Sequence, residues 1–221
     1  MIDTLIDKQD TFEIVGLKIG QILADESAAQ MLLAAAAVGK DPLQWKLRVY
    51  TEKFDPFEQW LNIDEDTDKS PIVNVWFDNS NYDKGASDLM ERQWSESVFN
   101  IDCYGLGIAH GEGAGHKPGD QEAAAEAHRT MRLVRNIIMA DIYTYLDMDG
   151  IVGERWPSTF TSFQVPQEQV TYQRIVGGRL ALQVKFNEFS PQETPVILEG
   201  ISNVINRASD GQLLAAVDYD Y

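Results

Sequence analysis

The sequence predicts an α+β fold: an antiparallel or mixed sheet with one long helix packed across it, an N-terminal helical region and a C-terminal hairpin extension. Three observations carry that expectation. Within Gln121–Asp147, the residues Ala127, Met131, Val134, Ile138, Ile142 and Tyr145 recur at gaps of four, three, four, four and three. At 3.6 residues per turn, that spacing keeps them on one stripe of a helix. Alternating segments at Trp94–Tyr104 and Arg179–Glu188 flank this helix, as strands with one buried face require. Hydrophobic residues make up 44% and charged residues 24% of the 221, which suffices for one substantial core.

The remaining elements follow in chain order. Residues 3 to 37 read as helical through Phe12, Val15, Ile19, Ile22 and Leu23, with Gly16 and Gly20 allowing close approach by a neighbour. Ser27–Val38 is alanine-rich around Met31, Leu32 and Leu33, and Gly39 before Asp41-Pro42 is a stop signal. The pattern admits one helix or two broken near Asp25. Trp45–Tyr50 alternates as a strand, and Phe54–Leu61 reads as a short helical or irregular excursion. Asp64–Lys69 is an acidic loop expected to be solvated. Pro71–Phe77 is a strong strand with Val73, Val75 and Phe77 on one side and Ile72, Asn74 and Trp76 on the other. Asn79–Ser87 suggests a hairpin-type loop. In the next strand Val98, Asn100, Asp102 and Tyr104 lie opposite Phe99, Ile101 and Cys103.

Beyond the long helix, Asp149-Gly150 marks a turn and Gly153–Phe163 reads as irregular. Gly177-Gly178 reads as a two-residue hairpin turn between Val170–Val176 and Leu180–Phe186. Pro191 and Pro195 bound a linker. Ala208–Gly211 then favours a hairpin between Val196–Asn206 and Gln212–Tyr219, with a helix through Ile197, Ile201, Val204 and Ile205 as the competing reading of its first half. The expected organisation is a single domain over residues 1–190, with 1–40 as its helical region, and a hairpin arm over 191–221.

Charge and cysteine usage restrict function. A net charge of −17 repels nucleic-acid phosphates over about a Debye length, which disfavours general DNA or RNA binding. It leaves room for a pore through which DNA passes without sticking. Cys103 is the only cysteine, so neither an intramolecular disulfide nor a cysteine-based zinc site is expected, and a buried reduced thiol is. No basic segment followed by an apolar run opens the chain, and nowhere do 18 apolar residues run together. Neither a signal peptide nor a membrane span is expected, and synthesis in a cytoplasm follows.

Chemistry is sparse. The stretch Gly105–Asp120 (GLGIAHGEGAGHKPGD) places glycines between a strand and a helix, where phosphate can be cradled. A dinucleotide site needs a third glycine where His110 stands, and a P-loop needs Gly-Lys-Ser/Thr where Lys117 meets Pro118. A surface loop is the better account. His110, Glu112 and His116, with Asp120 and His128 nearby, could converge on a metal, yet holding them costs a glycine-rich loop much entropy. These three are weak candidates, and neither a metal nor a cofactor is expected. The His-x-Glu there lacks the Pro-Cys-x-x-Cys of zinc deaminases, and no Gly-x-Ser-x-Gly occurs. The carboxylate groups Asp64, Glu65, Asp66 and Asp147, Asp149 lie in turns and read as solvated. No catalytic residue is assigned.

Arg129, Arg132 and Arg135 form a second stripe on the long helix, away from the apolar one. They read either as a charged solvent face, partly satisfied by Glu126, or as cations that meet acidic surfaces of neighbouring copies. Tyr219, Asp220 and Tyr221 pair aromatics with acid, a composition suited to an arm docking on another subunit or to a frayed end.

Laid out this way, the chain resembles the tail terminator (tail completion) proteins of long-tailed bacteriophages. The resemblance is carried by DTFEIVGLKIGQILA from Asp10, the strands PIVNVWFDN and SVFNIDCYGLG, the helix AEAHRTMRLVRNIIM, and VGGRLALQVKFNEFSPQ ending near Pro191. It lies in the order of elements over roughly residues 10 to 190. It implies a non-enzymatic virion protein forming a homohexameric ring on the tail tube, which stops tube growth and joins the tail to the head connector. DNA would pass through an acidic lumen without specific binding, and no membrane is involved. Another neck or tail connector, or a baseplate component, is the alternative within this class. A metal-binding enzyme built on Gly105–Asp120 is the alternative outside it.

Overall fold

A computed structural model describes residues 9–60, 68–83, 92–108, 119–165, 173–189, 200–206 and 213–220. The chain divides into two compact units, one of Asp7–Ser190 and one that takes in Pro191–Tyr221. The larger unit is α+β. Its mixed five-stranded sheet comprises β1 (Arg48–Thr51), β2 (Ile72–Asp83), β3 (Arg92–Ile108), β4 (Val152–Gln164) and β5 (Gln173–Phe189), in the order β1-β2-β3-β5-β4. Only β1 and β2 are parallel; the other pairs are antiparallel. Helices α1 (Thr11–Ala36) and α2 (Gly119–Ile138) belong to the same unit. In the smaller unit, β6 (Gly200–Asn206) pairs antiparallel with β7 (Leu213–Asp220), so the helical reading of residues 197–205 fails at positions 200–205.

Alternation places the main core. Val73 and Val75 of β2, Phe99, Ile101 and Cys103 of β3, and Leu180, Leu182, Val184 and Phe186 of β5 are buried against Val15, Ile19, Ile22 and Leu23 of α1 and Met131, Val134 and Ile138 of α2. Cys103 is a free, buried thiol, and burial pushes its pKa up. On the opposite sheet face a smaller cluster forms from Trp60, Ile72, Tyr104, Leu106 and Ile175, with Phe57 and Phe163 against it.

Helix α1 is unbroken through Asp25. At its start Asp10 donates its backbone N–H to Glu13, and Glu188 of β5 accepts the Thr11 N–H at 3.0 Å. Ser27 ties the helix to the following segment, donating to the Trp45 carbonyl and accepting from the Leu47 N–H. That segment departs from expectation. Pro42–Trp45 is a 3₁₀ turn capped by Asp41, so the strand begins only at Arg48.

The sheet corrects several boundaries, each for a physical reason. Strand β2 continues to Asp83, through residues read as loop, because β3 supplies it a partner over the whole length. Residues 153–163, read as irregular, are edge strand β4. Its two register shifts, at Gly153 and Ser158, allow Pro157 to sit in an edge strand with no central ladder to break. Gly177 and Gly178 are no turn. Both are buried in the middle of β5, opposite Tyr104 and Cys103. A Cβ on Gly177 would meet the Phe163 ring at 2.3 Å, and one on Gly178 would meet the Met131 sulfur at 2.5 Å.

Gly105 and Gly107 likewise belong to β3 rather than to a loop. A Cβ on Gly105 would lie 2.2 Å from the Ala123 carbonyl oxygen, and one on Gly107 would lie 1.8 Å from that of Gly119. The first turns of α2 therefore rest directly on strand backbone.

Helix α2 also ends early, at Ile138 rather than near Asp147. Arg155 of β4 donates to the carbonyls of Ile138 and Ala140 at 2.8 and 2.9 Å, satisfying helix-end acceptors. A 3₁₀ turn at Asp141–Tyr143 and positive φ at Leu146 and Asp147 then redirect the chain. Ile142 and Tyr145, expected on the buried stripe, are consequently exposed, while Leu146 is fully buried.

Gly107→Val should lower unfolding stability by about 3 kcal/mol or more, since helix backbone rather than a movable side chain occupies the space. Urea denaturation checks it, and a change under ~1 kcal/mol would show that the helix can lift off at little cost.

Candidate interaction surfaces

The residues singled out as possible sites fare unequally. His110, Glu112 and His116 lie outside the described residues, as does Tyr221. Among the described residues no group of three metal-ligating side chains occurs. His128 is exposed on α2 and shares a 2.9 Å hydrogen bond with Ser162 of β4. Tyr219 sits in β7 at the register position opposite Ile201.

Of the three arginines, Arg129 is committed to the fold. Its guanidinium binds Glu126 through Nε and Nη2 at 2.9 and 2.6 Å and donates Nη1 to the Gln44 carbonyl. The hydrogen bonds to Glu126 raise its pKa despite partial burial. Arg129 lines an open cavity of about 810 Å³ with Asp41, Lys46, Asp68, Lys69 and Glu126. Lys46 pairs with Asp68 there at 2.7 Å, so the acidic loop expected to be solvated is anchored at Asp68. Burial works to raise the Asp68 pKa, but hydrogen bonds from Lys46 and Ser70 outweigh it and hold the value at about 2.

Arg132 and Arg135 stand exposed and carry no ion pair among the described residues. The contrast with other cations is sharp. Lys18 pairs with Asp147, Arg179 with Asp102, and Arg155 with helix carbonyls, while Lys53 and Lys185 lie over the rings of Tyr50 and Trp94.

Two features were not singled out from the sequence. One is a second stripe on α1, facing away from the core. Ile14, Leu17, Gln21, Ala24, Ala28, Leu32 and Ala35 are all exposed and follow at gaps of three, four, three, four, four and three. The stripe runs about 30 Å along the helix, with Leu17 50% and Leu32 73% exposed. Gln21, its one polar member, donates to Asp25. A helix apolar on both faces ordinarily has a neighbour on each.

The other feature is a charged and aromatic cluster on the sheet face opposite the helices. Asp102 is nearly buried and receives Arg179 through Nε at 2.7 Å and Nη2 at 2.9 Å, while Trp76 donates its indole N–H at 2.9 Å. The guanidinium lies over the Trp76 and Phe163 rings, 4.6 and 5.6 Å from their centroids. Its bond to Asp102 raises the Arg179 pKa, and burial beside Asp102 raises that of Tyr104. Tyr104 of the same strand donates its hydroxyl to Asp102 at 3.5 Å, while Trp76 and Arg179 reach it from β2 and β5, and these two cross-strand contacts lock strand register. Residues farther along the same face, including Val98, Ala181 and Gln183, are partly exposed.

No protein-family model matches the chain, and no curated protein matches it. No described helix is long and apolar enough to cross a membrane.

Asp102→Asn should cost about 2 kcal/mol of stability, less than the roughly 3–5 of a fully buried pair because the Arg179 side chain keeps 35% exposure. An equilibrium denaturation midpoint unchanged from wild type would contradict it. The Lys46–Asp68 pair adds a pH signature. Because the folded pKa of Asp68 is depressed, its contribution is present above about pH 4 and is lost as pH falls towards 2. The stability gap between wild type and Lys46→Met should therefore narrow across that window, and a gap constant from pH 6 to 2 would sink the assignment.

Proposed function

We propose that the chain is a structural subunit that closes into a ring with copies of itself, in the role that the resemblance to tail terminators implies. The ring would cap a phage tail tube and join it to the head connector, placing the protein in the virion. The carrying observation is the outward stripe of α1, a line of exposed apolar and small side chains with a single amide in it. Covering it would stabilise association by about 1–2 kcal/mol for each of Leu17 and Leu32, which start 50% and 73% exposed. A stripe of this kind on a folded monomer reads as a contact surface.

Electrostatics supports the same reading. Copies carrying −17 each repel, so a contact in which acid meets cation offsets part of that repulsion, and Arg132 and Arg135 supply cations on the outward side of α2. A cationic patch meeting a different, acidic patch is a heterologous contact, and heterologous contacts that close give rings. An acidic surplus around a central channel would let DNA pass without being gripped.

Purified wild-type protein should run at a mass six times that of one chain, and Leu17→Glu with Leu32→Glu should shift it to monomer while leaving the far-ultraviolet dichroism intact. Sedimentation velocity reads both. A double variant that keeps the wild-type mass would remove α1 from the interface, and monomeric wild type at every concentration would end the proposal.

A further inference from the structure

We infer that the outward line of α2 centred on Arg132 and Arg135 receives the acidic end of strand β7 from a neighbouring copy. The inference rests on the self-assembly reading and names the segment that the arginines meet. His128, Arg132, Arg135 and Met139 are all exposed and follow at gaps of four, three and four, so they share one line along the helix. Two cations with no ion pair among the described residues therefore stand between an imidazole hydrogen-bonded to Ser162 and a thioether at the helix end.

The chain has 35 acidic against 18 basic residues, so two cations with no ion pair among the described residues select an acidic partner, and a copy of the same chain provides one. Strand β7 ends in Val217-Asp218-Tyr219-Asp220, followed by Tyr221. In its register Asp218 and Asp220 fall opposite Ser202 and Gly200, and Tyr219 falls opposite Ile201, so the two acids stand at alternate positions of the strand. Positions two apart on a strand are about 7 Å apart, and residues three apart on a helix are separated by about 5–6 Å at Cβ, within reach of two arginine–carboxylate pairs. A two-stranded ribbon is marginal by itself in water, so docking on a helix also supplies the third element it needs. Other acidic segments of the chain, such as Asp64–Asp66, lack this strand-spaced alternation of acid and tyrosine.

The test is a charge swap in the full chain, read as the dissociation constant of the assembly by mass photometry and sedimentation. At about 50 mM salt, where exposed pairs are least screened, Arg132→Glu with Arg135→Glu should weaken association by at least ~10-fold. Asp218→Arg with Asp220→Arg should do the same, and the fourfold variant should recover most of the wild-type affinity. At about 500 mM salt the differences should shrink. Far-ultraviolet dichroism of all variants should match that of wild type, which separates lost association from lost fold. If wild type assembles and the fourfold variant shows no recovery, the β7 pairing is wrong while the ring reading stands. If wild type never assembles, both fall.

Discussion

The closeness of α2 to the sheet is the constraint on which the larger unit depends. Gly105 and Gly107 present bare backbone to the helix, and Ala123 and Ala127 press against them where any Cβ on the strand would collide with helix backbone. Gly178 opens the corresponding space in β5 for Met131. Small residues on both sides thus set the height of the helix and its rotation about its own axis. That rotation turns Val134 and Ile138 inward and leaves Arg132 and Arg135 outward. The outward chemistry is a consequence of the inward packing.

Buried polar groups do the complementary work of fixing register. Asp102 collects donors from β2 and β5, so sliding either strand past β3 would strand a carboxylate away from Arg179 and Trp76. Arg155 closes the end of α2, and Glu188 and Ser27 hold α1 from two sides. With these demands met inside the unit, Ile14, Leu17, Leu32 and Leu33 on α1 and the two arginines on α2 are left facing outward.

What could be read from residues alone follows from how local each cause is. The α2 stripe through Ala127, Met131, Val134 and Ile138 was legible, because burial on one helix face imposes its own period. Its end was not, because Arg155 terminates the helix from 17 residues away. Gly177-Gly178 misled since glycine's local signal is the same in a turn as in a flat strand approached by a large side chain, and the approaching groups are Phe163 and Met131. Strand β4 was hidden by the bulges that accommodate Pro157. Among the candidate site residues, the pairing of Arg129 with Glu126 was legible from their spacing of three, whereas its bond to the carbonyl of Gln44, 85 residues earlier, was not. The outer stripe of α1 escaped notice because an alanine-rich helix apolar on two faces has almost no amphipathic contrast to detect.

The central claim is that these outward faces belong to a closed ring of identical copies. Electron microscopy of the purified wild-type chain tests it most directly. The account predicts class averages with six-fold symmetry around an open central channel. Particles of single-chain size, or open filaments without a channel, would contradict it.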